Sequence, residues 1–307
     1  MMRGIWAAAV LCVLPWGLQG QGVVLGAGYS APRPVDVAPG QVITVFVRIP
    51  GKVAAAPATA SPPLPATLAG FSGLLRQTFA DPRDVPILSV VDSESCSNLR
   101  PLECDTISMV TVQIPYELTP NIPRTTVPLN LGRLEIRYNG NPASSLFLNP
   151  VPDHVHVLNS CDVAANLPPG ECVPVITRPD GSLVSIRNQA QPGEELTVAL
   201  VGLGWAVETV ATGAATPSFG PLVDGVSIGI YARANAAPEI PDPDSAARGA
   251  RLRPGSIGIY EVKFTVPSLP QGSMPCGGAV RSNLTVSIGR TTSSDGAGLC
   301  VDGAAQQ

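Results

Sequence analysis

The chain is built from short apolar runs, each closed within about ten residues by proline, glycine or asparagine. Residues 41–49, Gln-Val-Ile-Thr-Val-Phe-Val-Arg-Ile, follow Pro39-Gly40 and are dense in β-branched side chains. That combination marks a turn feeding a strand. Residues 194–203 repeat the arrangement after Pro192-Gly193. No helical period of apolar positions is sustained for ten residues, and the chain is expected to be all-β.

The two runs belong to a longer internal repeat. At an offset of 153 positions, Pro39, Gly40, Thr44, Val45 and Gly51 fall on Pro192, Gly193, Thr197, Val198 and Gly204. Further along, Gly70-Phe71-Ser72 lies on Gly225-Val226-Ser227. The Val110–Pro115 block lies on Val262–Pro267, and Ser144-Ser145-Leu146 answers Ser282-Asn283-Leu284. One module used twice is the simplest reading, and its size is that of an ordinary sandwich domain. The expectation is therefore two tandem immunoglobulin-like β-sandwich domains, residues 21–158 and 175–289, with a linker over 159–174 and a Gly/Ser/Ala tail over 290–307. The Ala/Pro/Thr/Ser segment from Lys52 to Thr67 reads as a long loop.

Composition favours the same class. Proline (33) and glycine (31) are abundant without a collagen period, which would break helix interiors throughout. The formal net charge is −4, and Lys52 and Lys263 are the only lysines among 19 basic residues. No basic stripe of the kind that neutralises phosphates is present, so nucleic acid is not an expected partner.

The first residues place the protein outside the cytoplasm. Arg3 follows two methionines, Ile5 to Leu18 are mostly apolar, and small residues close the stretch at Gly20. This is the pattern of a secretory signal peptide over residues 1–20. Cys12 lies inside it, preceded by Leu11 where a lipobox wants a small residue. The most apolar later segment, Leu196–Val207, is shorter than the ~20 residues a membrane helix needs, so no membrane span is expected in the mature chain. Six cysteines then remain: Cys96, Cys104, Cys161, Cys172, Cys276 and Cys300. An even count after export reads as disulfides, and their arrival in close couples suggests Cys96–Cys104, Cys161–Cys172 and Cys276–Cys300. No Cys-x-x-Cys spacing supports zinc instead.

Several blocks together resemble a known family. They are Ser61–Ser72, Gln113-Ile114-Pro115-Tyr116-Glu117-Leu118, Pro192-Gly193-Glu194 leading to Gly202-Leu203-Gly204, and Gly258–Val262 with Val266-Pro267. They look like the Solibacter-type uncharacterised C-terminal domain, in two diverged copies spanning about Tyr29 to Ile288. The resemblance implies exported acidobacterial proteins and a module whose own function is unknown. It carries over no active site.

Candidate chemistry is sparse. His154 and His156 are the only histidines and sit two apart, so on one strand they would share a face and could ligate zinc or copper, with Asp153 or a carboxylate of the second copy completing the set. A polar strand face near the joint between modules is the plainer reading. Glu239, Asp242 and Asp244 crowd a proline-stiffened loop, without the spacing and central glycine of a calcium loop. Trp205, Phe219 and Tyr231 could form an aromatic platform for sugars, although Trp205 is expected in the core. Asn283-Leu284-Thr285 fits a glycosylation pattern that a bacterial source would leave idle. No Gly-x-Ser-x-Gly occurs, and no carboxylate pair is singled out. These observations lead to the expectation of a non-enzymatic secreted or cell-surface binding or scaffolding protein, with no cofactor, whose partner is an extracellular glycan or protein. The alternative is an extracellular metal-dependent or carboxylate-based polymer hydrolase.

Overall fold

The computed structural model describes residues 24–25, 34–48, 57–92, 107–121, 130–163, 173–231, 249–268, 282–288 and 293–302. They are almost entirely β, with one helical turn at Ser160–Val163. The first half carries β1 (Val24–Leu25), β2 (Val35–Val37), β3 (Val42–Arg48), β4 (Ala58–Thr59), β5 (Thr67–Leu68) and β6 (Phe71–Gln77). It continues with β7 (Ala80–Val85), β8 (Ile87–Asp92), β9 (Ile107–Gln113), β10 (Gly132–Tyr138) and β11 (Asn141–Pro150). The second half carries β12 (His156–Val157), β13 (Ile176–Thr177), β14 (Glu195–Val201), β15 (Val226–Ile230) and β16 (Gly249–Leu252), then β17 (Tyr260–Thr265), β18 (Leu284–Ile288) and β19 (Ser293–Ala297).

These strands form four sheets. In the first half the orders are β1-β3-β9-β8-β4 and β2-β11-β10-β6-β5, with β7 also on β6. In the second half they are β12-β14-β17-β16, with β13 also on β14, and β15-β18-β19. Alternation explains the layering. On β6 and β10 every second residue is buried, so Phe71, Leu75, Leu134 and Ile136 face Ile43, Val45, Val110 and Val112 of the opposite sheet in one apolar cluster. A second cluster joins Leu196, Val198, Leu200 and Val262 of one sheet to Ile228, Leu284 and Val286 of the other. Each fully buried side chain of this size contributes roughly 1.5–3 kcal/mol.

The repeat seen in sequence recurs in the strand order. Gly40 (φ 73°) and Gly193 (φ 84°) supply the left-handed residue of the two Pro-Gly turns. Their amides donate to equivalent carbonyls, Gly40 to Ile114 (3.0 Å) and Gly193 to Val266 (2.8 Å). The neighbours β3-β9-β8 are matched by β14-β17-β16. The parallel pairing of β2 with β11 is matched by a parallel bridge from Ala190 to Val301. One block aligns differently from its sequence match. β18 lies between β15 and β19 as β10 lies between β6 and β11, so Ser282–Leu284 corresponds to β10 and not to Ser144–Leu146. A three-residue serine-leucine match is too short to hold a register.

Boundaries also differ from the sequence reading. Val155 and Val157 belong to the second apolar cluster, and β12 pairs with β14. The second core thus begins before residue 158. Asn159 and Pro174 bridge, and Ser160 N donates to Val173 O at 2.7 Å, so the ends of the expected linker are held together. Within the expected tail, β19 pairs with β18 while Leu299 and Val301 are buried in the second cluster. Ala58–Thr59, in the expected long loop, pairs with β8.

The two halves interlock. Tyr116, which follows β9, is buried in the second cluster and not the first. Its backbone N–H donates to Thr212 Oγ1 of the other half (2.9 Å), while Trp205 Nε1 donates to its backbone carbonyl (2.8 Å). Thr212 Oγ1 donates to Glu117 Oε2 (2.6 Å), Gly213 N donates to Gln113 Oε1 (2.7 Å), and Leu64 N donates to Gly213 O (2.8 Å). The approach is close enough to require glycine: a Cβ on Gly258 would stand 2.4 Å from Gly40 O. Among the described residues no helix is long and apolar enough to cross a membrane.

Candidate functional site

The two histidines fall into different environments. The strand that carries His156 is only His156–Val157, so His154 precedes it and the shared strand face expected from their spacing does not form. His154 N donates to Gly202 O (2.7 Å), and its Nδ1 lies 3.3 Å from Nε2 of the buried Gln41. Gln41 Oε1 in turn accepts from Ala38 N at 2.9 Å, which orients the amide so that Nε2 faces the ring. Burial is the main cause that lowers the His154 pKa, outweighing nearby Asp36, so the ring is neutral and Nδ1 accepts from Gln41.

His156 sits between two carboxylates. Nε2 lies 3.2 Å from Asp162 Oδ2 and Nδ1 lies 3.1 Å from Asp295 Oδ2. Burial alone would lower its pKa, but the hydrogen bonds and charges of Asp162 and Asp295 outweigh it and push the value up to about 9. The imidazolium therefore donates through both nitrogens at neutral pH. Burial works against the Asp295 carboxylate too, yet His156 and the backbone amides of Val157 and Gly296 hold its pKa below the usual value. Asp162 accepts from Asn159 N (2.9 Å) while Asn159 Oδ1 accepts from Asp162 N (3.1 Å). The cluster thus ties β12, the helical turn and β19 together. A doubly engaged imidazolium has no lone pair for a metal or a proton. Among the described residues no group of three or more His, Cys, Asp or Glu side chains is arranged to hold a metal ion.

The aromatic candidates are placed differently from the sequence expectation. Trp205 is 53% exposed rather than in the core. Strand β14 ends at Val201 because Gly202 and Gly204 adopt φ of 82° and 78°, and the apolar run continues as loop. Phe219 is also exposed, with Val207 and Leu222 on the same 202–225 loop, whose two arms are joined by Val207 N donating to Leu222 O at 2.8 Å. Tyr231 is half-buried. Asn283 is buried, with Nδ2 donating to Leu299 O and Oδ1 accepting from Leu299 N, so it serves the core and not a glycan.

Glu239, Asp242 and Asp244 lie outside the described residues, as do Cys96, Cys104, Cys172 and Cys276. Cys161 lies on the helical turn. Cys300 is disulfide-bonded.

No family model and no curated protein matches the chain. The resemblance described above therefore rests on its motifs alone.

Proposed function

We propose that this chain is a non-enzymatic, exported or surface-attached binding or scaffolding protein made of two tandem immunoglobulin-like modules. It is directed by the signal peptide over residues 1–20, and its partner is an extracellular glycan or protein. The exposed Trp205 carries this reading. Its indole N–H is held by the Tyr116 carbonyl across the joint between the halves, so the ring is fixed in orientation while more than half of it faces solvent. An aromatic ring immobilised on a rigid support loses little entropy on binding, which is how sandwich loops commonly serve recognition. The histidine geometry supports a structural role for His156 over a hydrolytic one, since both ring nitrogens already donate to carboxylates.

Tryptophan fluorescence tests the reading directly. In protein expressed without residues 1–20, Trp205 is the only tryptophan. A panel of neutral and acidic polysaccharides and surface proteins should include a ligand that shifts its emission and whose binding weakens at least tenfold in Trp205→Ala. Binding that is indifferent to Trp205→Ala would remove the loop from the account.

A further inference from the structure

The joint between the halves contains a titratable group. His154 is buried on the segment that carries the chain from β11 into β12. It touches both halves. Its backbone N–H donates to Gly202 O just past the end of β14 (2.7 Å), and its ring Nδ1 faces Nε2 of Gln41, the residue before β3 (3.3 Å). Gln41 is itself held on every side: Oε1 accepts from Ala38 N (2.9 Å), the backbone N–H donates to Ala38 O (3.2 Å) and the backbone carbonyl accepts from Ile114 N (2.8 Å). When the ring is neutral, Gln41 Nε2 donates to the Nδ1 lone pair. With a further proton on the ring, Nδ1–H and the Gln41 amide become two donors facing each other in a buried place. Turning the amide over sets Nε2 against the Ala38 N–H instead, so the conflict moves and does not go away.

The same contact leads on to Trp205. The backbones lie so close that a Cβ on Gly202 would collide with the His154 carbonyl, and one on Gly204 with the Pro152 carbonyl. Tyr260 Oη donates to the Gly204 carbonyl, and Trp205 follows directly. A displacement of the His154 segment is therefore passed through the Gly202–Gly204 turn to the indole. From this arrangement we infer that His154 is an acid-operated latch on the joint: one proton on its ring breaks the bond with Gln41, loosens the Gly202–Gly204 turn and changes the setting of Trp205 while both cores stay folded. The charged groups that act on the ring are Asp36 of β2, the adjacent Asp153, His156 of β12 and Asp295 of β19. The three carboxylates favour the proton and the His156 cation opposes it, but burial is the largest influence and holds the folded pKa below 6.5. Above pH 6.5 the ring is neutral in folded and unfolded chain alike, and the latch is closed. As pH falls the unfolded chain takes the proton first, and the latch opens at the lower, folded value. His156, with its pKa of about 9, stays protonated throughout that range, so the two histidines act separately.

The inference does not depend on what Trp205 binds, and its test needs no ligand. Trp205 emission and far-ultraviolet circular dichroism are recorded between pH 8 and pH 4 on protein expressed without residues 1–20, with the His154 ring followed by nuclear magnetic resonance. The expected result is a reversible, one-proton shift in emission with its midpoint below pH 6.5, in step with the His154 ring and with the dichroism unchanged. His154→Asn, which offers an amide oxygen in place of Nδ1 and does not titrate, should abolish the shift. Gln41→Glu keeps the bond to Ala38 N and gives the imidazolium an acceptor, so the His154 pKa should rise by about one unit or more and the acid shift in emission should vanish. His156→Gln should keep the shift, its midpoint moved upward by the loss of a neighbouring positive charge. Emission that is constant with pH in the folded protein would overturn the proposal, as would an unchanged shift in either His154→Asn or Gln41→Glu. Loss of dichroism in step with the emission, or a shift that disappears in His156→Gln, would equally overturn it, the first as global acid unfolding and the second by assigning the proton to the other cluster.

Discussion

Replacing Tyr116 with alanine isolates the contact that joins the two halves. The ring belongs by sequence to the first sandwich and by packing to the core of the second, where it is 7% exposed. Truncating a buried aromatic side chain of this size costs about 3–5 kcal/mol, from lost burial and the cavity left behind. For a domain of 150–250 residues that corresponds to a melting temperature lowered by roughly 6–20 °C. The hydroxyl contributes little to this sum. Tyr260 gives its only proton to the Gly204 carbonyl, and Tyr116 Oη, though beside Tyr260, is buried without a partner of good hydrogen-bond geometry. Tyr116→Phe should therefore cost under about 1 kcal/mol or be slightly stabilising. Denaturant unfolding followed by Trp205 fluorescence measures both variants, because Trp205 is bonded to the Tyr116 carbonyl. A second readout is available in the phenol itself. Burial pushes its pKa up to about 12, with Tyr260 pulling modestly the other way, so ultraviolet titration of the native protein should show a tyrosine ionising late. A loss of under about 1 kcal/mol in Tyr116→Ala, or a Tyr116→Phe variant as damaged as Tyr116→Ala, would refute the reasoning.

Four further outcomes are expected. Gly258→Ala places a methyl 2.4 Å from Gly40 O at φ 60° and should destabilise strongly, whereas Gly193→Ala meets open space and should cost only the left-handed penalty of about 1–2 kcal/mol; thermal melts compare the two. The folded pKa of His156 is raised from 6.5 to about 9, so its stabilisation is fully present below pH 6.5 and is lost as pH rises through about 9. At 1.36 kcal/mol per pH unit the contribution is up to about 3 kcal/mol, and His156→Gln should flatten the alkaline limb of the stability curve. The lowered pKa of His154 acts with the opposite sign, withdrawing stability as pH falls below the unfolded value, so His154→Gln should flatten the acid limb. Non-reducing peptide mapping should recover Cys96–Cys104, Cys161–Cys172 and Cys276–Cys300, and a link between cysteines of different couples would discard that pairing.

The sequence showed the all-β class and the turns that open the main strands, because Pro39-Gly40 and Pro192-Gly193 encode a backbone shape and the runs after them are β-branched. It did not show where those runs end. Leu196–Val207 looks like one apolar strand, but Gly202 and Gly204 turn the chain and bring Trp205 to the surface. Residues 293–297, Ser-Ser-Asp-Gly-Ala, carry no strand propensity of their own. Pairing with β18 makes them a strand, and burial of Leu299 and Val301 holds the segment in place. The partners of His156 were invisible for a similar reason: Asp162 and Asp295 come from separate elements that only the fold brings to one ring. Nothing local marks Tyr116 as a residue of the other core. By contrast, the alternation along Gly132–Tyr138 was already present in the sequence, and only the register was needed to set Arg133 beside Arg76 and Phe147.

The central claim, binding without catalysis, is tested most directly by incubating the purified full chain with cell-wall and plant polysaccharides and recording retention and released product on the same samples. The account predicts retention of at least one polymer, weakened by Trp205→Ala, with no soluble product above that of heat-denatured protein. Product release that persists through purification and disappears in a His154→Ala/His156→Ala variant would contradict it and establish the hydrolase reading in its place.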